Sequence, residues 1–388
     1  MSAATDVLRA RAVPRVLLSS LVGRLPTGSA PLALLLFARD TMSISLAGVL
    51  VGAFTAGMAI GQPMLARFAD RWRQPPVLWI SITGSTAGFA LIAFVPGVGV
   101  AIAGALLAGL GAPPFEACLR VLWKDLVGDA LLPAAYTIDV TFQELIFIAG
   151  PVATVASVTV GGPKAGLFTA AVLQIAGTVV FGTAPAVRRW RGAAAIRHWA
   201  GPLRSGTLRV LLAATVLVGF AVGATIVAVT NFAEVRGAAS ESGWLLAAQA
   251  FGALLGGITF TRRQPKNLAR ALPVIVLILA IGYLPMLTIG PLPVMVVCLV
   301  LSGLTLPPML TSVFITTDEV APAGTAAEAF AWVATAFAVG SALGSAVDGA
   351  LLGASRQVLA GFVPAPVVIG VAAALLFAAQ SGRARPYR

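Results

Sequence analysis

Four ionisable residues, Arg24, Glu116, Asp139 and Glu144, stand inside long apolar stretches of a 388-residue chain. An ionised side chain at the middle of a bilayer costs roughly 2.5–3.5 kcal/mol on insertion scales, so such positions are seldom filled without use. The chemistry open to them is proton exchange and charge compensation. Burial disfavours an ionised carboxylate and a neighbouring cation favours it. Glu144 and Asp139 are therefore expected to take up and release protons while Arg24 supplies the compensating charge. Two other readings use the same residues: a static bridge between Arg24 and a carboxylate that only fixes helix packing, and direct binding of a cationic solute by a carboxylate. Glu116 and Arg120, four residues apart, are placed to pair on one helix face.

Other chemistries lack their residues. The single histidine, His198, has no cysteine or carboxylate beside it and makes no metal site. Cys118 and Cys298 both fall within apolar stretches, which points to packing rather than a disulfide or thiolate ligands. No G-x-x-x-x-G-K-[ST] loop and no H-E-x-x-H is present, so ATP drive is disfavoured, no cofactor is expected, and a membrane enzyme or receptor is the least favoured function.

The elements that must position these charges follow from composition. With 59% hydrophobic and 10% charged residues and a mean hydropathy of +0.96, the chain is poorly suited to a water-facing surface. About 20 apolar residues span a bilayer core as a helix. Twelve stretches qualify, at 16–37, 43–65, 77–95, 98–123, 134–160, 165–186, 208–230, 243–260, 271–290, 292–315, 325–350 and 362–380. Their continuous apolar character favours helices over the alternating strands of a barrel. The expected fold is an all-α integral membrane protein. The first stretch is of spanning length with no cleavage site behind it, so it is expected to be retained.

Sorting the loops by side places 21 of the 26 basic residues on one face, while only Arg39, Lys164, Arg236 and Arg356 fall on the other. Positive-inside asymmetry accounts for the net charge of +12 without a nucleic-acid partner. It places both termini in the cytoplasm and the chain in the inner (cytoplasmic) membrane. By helix rise from that face, Arg24 and Glu144 lie near the midplane, and Glu116 and Asp139 are shallower. The longest basic connection, with Trp190, His198 and Trp199, reads as a solvated linker or a surface helix on anionic headgroups.

The chain is also one half written twice. Gly109-Leu110-Gly111-Ala112-Pro113-Pro114 returns 194 residues later as Gly303-Leu304-Thr305-Leu306-Pro307-Pro308, and Gly57-Met58-Ala59-Ile60-Gly61 returns as Gly252-Ala253-Leu254-Leu255-Gly256. Duplicated apolar halves are a common plan of secondary transporters. The expected domains are a six-helix bundle at 1–187, a linker at 188–206 and a second bundle at 207–388.

Between the second and third stretches, Ala66-Arg67-Phe68-Ala69-Asp70-Arg71-Trp72-Arg73-Gln74 resembles motif A of the major facilitator superfamily, G-x-x-x-D-R-x-G-R-R, through Asp70 and Arg71. Ala66 and Arg73 replace its glycines, and Gln74 and Pro75 its terminal basic pair. The equivalent loop of the second half, Thr261-Arg262-Arg263, lacks the acid. The resemblance implies that Asp70 and Arg71 are gating residues in a cytoplasmic loop, the aspartate contacting the opposite half when that gate is closed. Gly150-Pro151 resembles the core of motif C, G-P-x-x-G, associated with exporters of this superfamily, without the trailing glycine. The motif B arginine is missing, because Ala105 precedes Gly109 at its spacing. Spans 3, 6, 9 and 12 carry no interior charge, in keeping with their peripheral place in the superfamily.

The second half is nearly free of interior charge, with Glu328 near a helix start and Asp348 near an end. Its cavity face is expected to be apolar and aromatic, with Gln249, Trp244, Trp332, Phe337 and Asn231 as candidate substrate contacts. A charged half facing an apolar half suits an amphiphilic or lipophilic small molecule. Close helix contacts, which would rock during alternating access, are expected at Gly48, Gly52, Gly57 and Gly61 and at Gly340 and Gly344. The favoured reading is a monomeric proton-coupled exporter in contact with membrane lipid; the alternative is a proton-coupled uptake carrier for a nutrient.

Overall fold

The computed structural model describes residues 3–42, 44–193, 198–238, 241–262, 264–265, 267–355 and 357–383. Ser43, Arg197, Arg263, Lys266, Arg356, Arg385 and Arg388 lie outside them. Every regular element among the described residues is helical. Twelve helical spans are long and apolar enough to cross a membrane. Spans 1–6 run over Val13–Thr41, Leu46–Arg71, Gln74–Phe94, Val98–Val127, Asp129–Gly161 and Pro163–Gly182. Spans 7–12 run over Gly206–Val235, Ser242–Phe260, Leu268–Thr288, Leu292–Val320, Ala326–Ser355 and Val358–Ser381. Turns are set by local chemistry: Asn267 caps span 9 by accepting from the Arg270 N–H at 2.9 Å, and Gly162, at φ 75°, turns the chain between spans 5 and 6.

Two expectations change. The Ala66–Arg71 stretch is not loop but the last turns of span 2, which continues past Pro63 to Arg71 because no Gly or Pro lies between Ala66 and Trp72 and a terminal arginine suits the helix dipole. Arg120, counted with the charges of the basic face, is buried within span 4.

The repeated glycine-proline sextets are helix breaks. Span 4 divides into Val98–Leu110, Phe115–Arg120 and Trp123–Val127. Span 10 divides into Leu292–Gly303 and Leu306–Val320. Proline removes a backbone donor and forces the helix to restart. The other repeated glycines build equivalent seams: Gly57, Gly61 and Gly109 let spans 2 and 4 meet backbone to backbone, and Gly252, Gly256 and Gly303 do the same for spans 8 and 10.

A Cβ at Gly109 would drive into the backbone of Phe54 and Met58, whereas Gly48 and Gly52 have no neighbour within 4 Å and make no such seam. Gly340 and Gly344 pack on Val216 and Phe220 of span 7. These seams join helices of the same half, so they are not the surfaces at which the halves meet. Gly109→Ala is expected to lower stability by about 1–3 kcal/mol through overpacking, and Gly52→Ala to leave it unchanged, as read by thermal unfolding in detergent.

Candidate functional site

The break in span 4 aims Glu116 and Arg120 inward, toward span 1 and span 5. Arg24 donates from Nη1 to Asp139 Oδ1 at 2.8 Å and from Nη2 to Gln143 Oε1 at 2.6 Å. Its Nη2 also lies 3.3 Å from Glu116 Oε2. Arg120 donates from Nε to Asp139 Oδ2 at 3.1 Å and pairs through Nη1 with Glu116. Each oxygen of Asp139 thus serves a different guanidinium. The Arg120 guanidinium rests 3.4 Å from the centre of the Phe314 ring. Two cations and two anions form a neutral, buried cluster, the arrangement in which ions are tolerated away from water.

Glu144 stands outside that cluster. The Glu116–Arg120 pair forms at its i,i+4 spacing, but no hydrogen bond or ion pair joins Arg24 to Glu144 among the described residues. Arg24 compensates one of the two expected carboxylates, Asp139, and not the other, although Glu144 shares its expected depth. Glu144 is half-buried. Its face of span 5 fronts the second half, since Thr141, nearly one turn earlier, abuts Gly257 of span 8. Gln249 donates from Nε2 to Tyr283 Oη and to Ser302 Oγ, each at 3.2 Å, which ties spans 8, 9 and 10 into one polar group.

Of the five cavity candidates, Gln249 belongs to this group and the others lie elsewhere. Trp332 donates to Glu328 Oε1 at 3.4 Å. Phe337 packs through its carbonyl on Gly219. Asn231 is half-buried near the end of span 7, and Trp244, 74% exposed, stands at the start of span 8. Gly150 is a close approach between spans 5 and 1, where a Cβ would meet Ser29 N at 3.0 Å. The helix continues unbroken through Pro151.

At the basic end the halves are joined. Asp70 accepts from the backbone N–H of Ala327 at 3.1 Å and of Glu328 at 2.8 Å, satisfying free donors at the start of span 11. Arg67 makes a two-pronged pair with Glu328, at 2.8 Å to each oxygen, and donates to the Trp199 carbonyl at 2.9 Å. Arg71 is exposed and has no hydrogen bond or ion pair among the described residues. The duplication offset carries Asp70 onto Gln264, which donates to Thr137 Oγ1 of span 5 at 3.2 Å; Thr311 of span 10 donates to the same oxygen at 3.2 Å. Behind these contacts Tyr136, Phe314 and Phe330, from spans 5, 10 and 11, form a plug with ring centres 5.9–6.2 Å apart. Sequence reading missed Arg67, Gln264 and the plug. The 194-residue offset applied to Asp70 was the signal that leads to Gln264.

A sequence model described as Major Facilitator Superfamily matches residues 16–345. No curated protein sequence matches the chain. Among solved structures, the fold is similar to the human organic anion transporter MFSD10 (TETRAN), with a TM-score of 0.75 and 17% identity over 94% of this chain and 99% of that one. A bacterial homologue of the iron transporter ferroportin in an outward-facing state gives a TM-score of 0.72 and 16% identity over 95% and 99%. The E. coli fucose:proton symporter FucP gives 0.71 and 14% over 97% and 100%.

Proposed function

Because the chain belongs to the major facilitator superfamily, we propose that it is a proton-coupled exporter of amphiphilic or lipophilic small molecules, cations among them, working by alternating access. Family and fold make it a transporter of a small-molecule substrate and not an enzyme. The observation that carries the finer reading is the solitary carboxylate of Glu144. Arg24 and Arg120 are both occupied by Glu116 and Asp139, so the cluster has no spare cation for an anionic solute. Glu144 needs a proton or a cation to be neutral at its depth. The two exclude one another at a single carboxylate, and that competition is what exchange requires. Uptake by symport uses the same fold, but it would have proton and solute travel together.

In this reading the basic end is cytoplasmic, and the conformation described here is closed to the cytoplasm. Asp70 and the Arg67–Glu328 pair act as its latch, Arg71 sets topology beside it, and Gln264 with Thr137 is a weaker, uncharged counterpart. Halves 1–187 and 207–388 rock so that the latch breaks and re-forms, joined by the linker at 188–206, and one chain suffices. Asp139 holds the cluster while Glu144 exchanges the proton. The Gly150-Pro151 element supports the export direction by its resemblance to motif C.

Proteoliposomes with an acidic lumen are expected to accumulate a fluorescent lipophilic cation and to lose it on adding a protonophore. No accumulation by folded protein would exclude this substrate class. For the latch, Asp70→Ala leaves the two N–H donors of span 11 unpaired. Losing a helix cap costs about 1–2 kcal/mol, which is about tenfold in the ratio of closed to open states. Spin labels at the basic ends of spans 2 and 11 should report a longer distance in the variant; an unchanged distribution removes Asp70 from the gate.

A further inference from the structure

Asp348 lies in span 11, about 33 Å by helix rise from Ala326 and so far from the latch. It is 0% exposed, and neither carboxyl oxygen has a hydrogen-bond partner among the described residues. It occupies a stripe of one-turn steps, Gly340, Gly344, Asp348 and Leu352, all buried. Gly344 rests on Phe220 of span 7, and Leu352 meets Gly361, which in turn meets Ala228 of span 7. Asp348 is therefore pressed into the seam of spans 7 and 11, beside the backbone between Phe220 and Ala228. The nearby hydroxyls are engaged: Thr225 donates to the Ala221 carbonyl and Ser345 to the Gly223 carbonyl.

No charge faces it from the elements packed on span 11. Span 7 has no ionisable residue between Arg209 and Glu234, Val358–Phe362 has none, and span 2 has none before Arg67. Glu116 and Arg120 of span 4, Asp318 and Glu319 of span 10, Arg204 of the Gly201–Arg204 turn, and Glu328 of span 11 itself belong to the basic end. The far end of the seam is closed by Gly361 against Leu352 and by Phe362 edge-on to Phe232 at 6.1 Å.

An ionised carboxylate in that position would have neither water nor counter-charge, which is strongly unfavourable. A hard metal cation takes about six to eight oxygens, whereas this place offers one carboxylate among helix carbonyls, and no group of three or more His, Cys, Asp or Glu occurs among the described residues. We propose that Asp348 is a proton-binding site of the second half, occupied by a proton while the seam of spans 7 and 11 is closed. Its shortest way to water runs past Leu352 and Gly361 to the helix end at Ser355, about 10 Å away by helix rise. The proton binds Oδ1 or Oδ2 of the carboxylate and leaves as the same proton when that end opens. The inference is independent of the role given to Glu144.

Infrared spectroscopy of the reconstituted protein at neutral pH tests it, since a carboxylic acid has a carbonyl stretch that a carboxylate lacks. The expected spectrum contains the high-frequency band of an acid free of hydrogen bonds. Isotopically labelled aspartate moves this band without altering the chain; Asp348→Asn removes it, and Glu144→Gln leaves it in place. If Asp348→Asn does not fold, the label together with Asp318→Asn decides, because Asp70 and Asp139 are hydrogen-bonded and would absorb at lower frequency, and Asp6, Asp40, Asp125 and Asp129 are exposed to water. A labelled band that survives Asp318→Asn belongs to Asp348, and one lost with it overturns the proposal. Absence of the band in the wild type, a band that the label does not move, or a band that survives in Asp348→Asn overturns the proposal.

Discussion

Arg24→Met is expected to destabilise the folded protein by about 3–5 kcal/mol, the usual consequence of removing one partner from a buried ion cluster. The variant leaves Glu116 and Asp139 to share the single guanidinium of Arg120, with a net negative charge at a place where Asp139 is 0% exposed. Adding Asp139→Leu removes that excess charge and should recover most of the loss, because the Arg120–Glu116 pair remains neutral. Denaturant or thermal unfolding in detergent measures both. An Arg24→Met protein as stable as the wild type would mean that the cluster does not hold spans 1, 4 and 5 together.

Glu144→Gln should do the opposite. It breaks no hydrogen bond or ion pair among the described residues, so stability should hardly change, yet gradient-driven accumulation of a lipophilic cation should fall to that of empty liposomes. Binding of the cation should weaken as well, by about 1.5–3 kcal/mol for the loss of a charged partner, which is roughly 10- to 100-fold in Kd. Equilibrium binding and proteoliposome flux measure the two effects separately. A variant that is stable and still transports with unaltered pH dependence would remove Glu144 from coupling.

This contrast also marks what could be read without coordinates. The twelve spans were legible because a run of about 20 apolar residues has one physical use, whereas the repeated glycines and prolines announced only the duplication, and the helix breaks and the Gly252 and Gly256 seam that they build came from the structure. The Glu116–Arg120 pair was legible because i,i+4 spacing fixes proximity on a helix. Which carboxylate Arg24 meets was left open, because depth does not give the rotation of span 1 against span 5; the structure pairs it with Asp139. Arg120 was counted with the basic face because it lies near a span end, where composition does not distinguish a buried arginine from a solvated one. The Arg67–Glu328 contact joins positions 261 residues apart, and no local pattern announces it. The Tyr136, Phe314 and Phe330 plug was hidden for the same reason, since aromatic residues facing lipid and facing each other look alike in a sequence.

The central claim is that proton and solute compete for one carboxylate and therefore move in opposite directions. The most direct measurement is the internal pH of acid-loaded proteoliposomes, followed with an entrapped dye as a lipophilic cation is added outside. The account predicts that the lumen of wild-type vesicles becomes more alkaline as the cation enters and that Glu144→Gln vesicles do not respond. A lumen that turns more acidic with entry, or entry without any pH change, would contradict it.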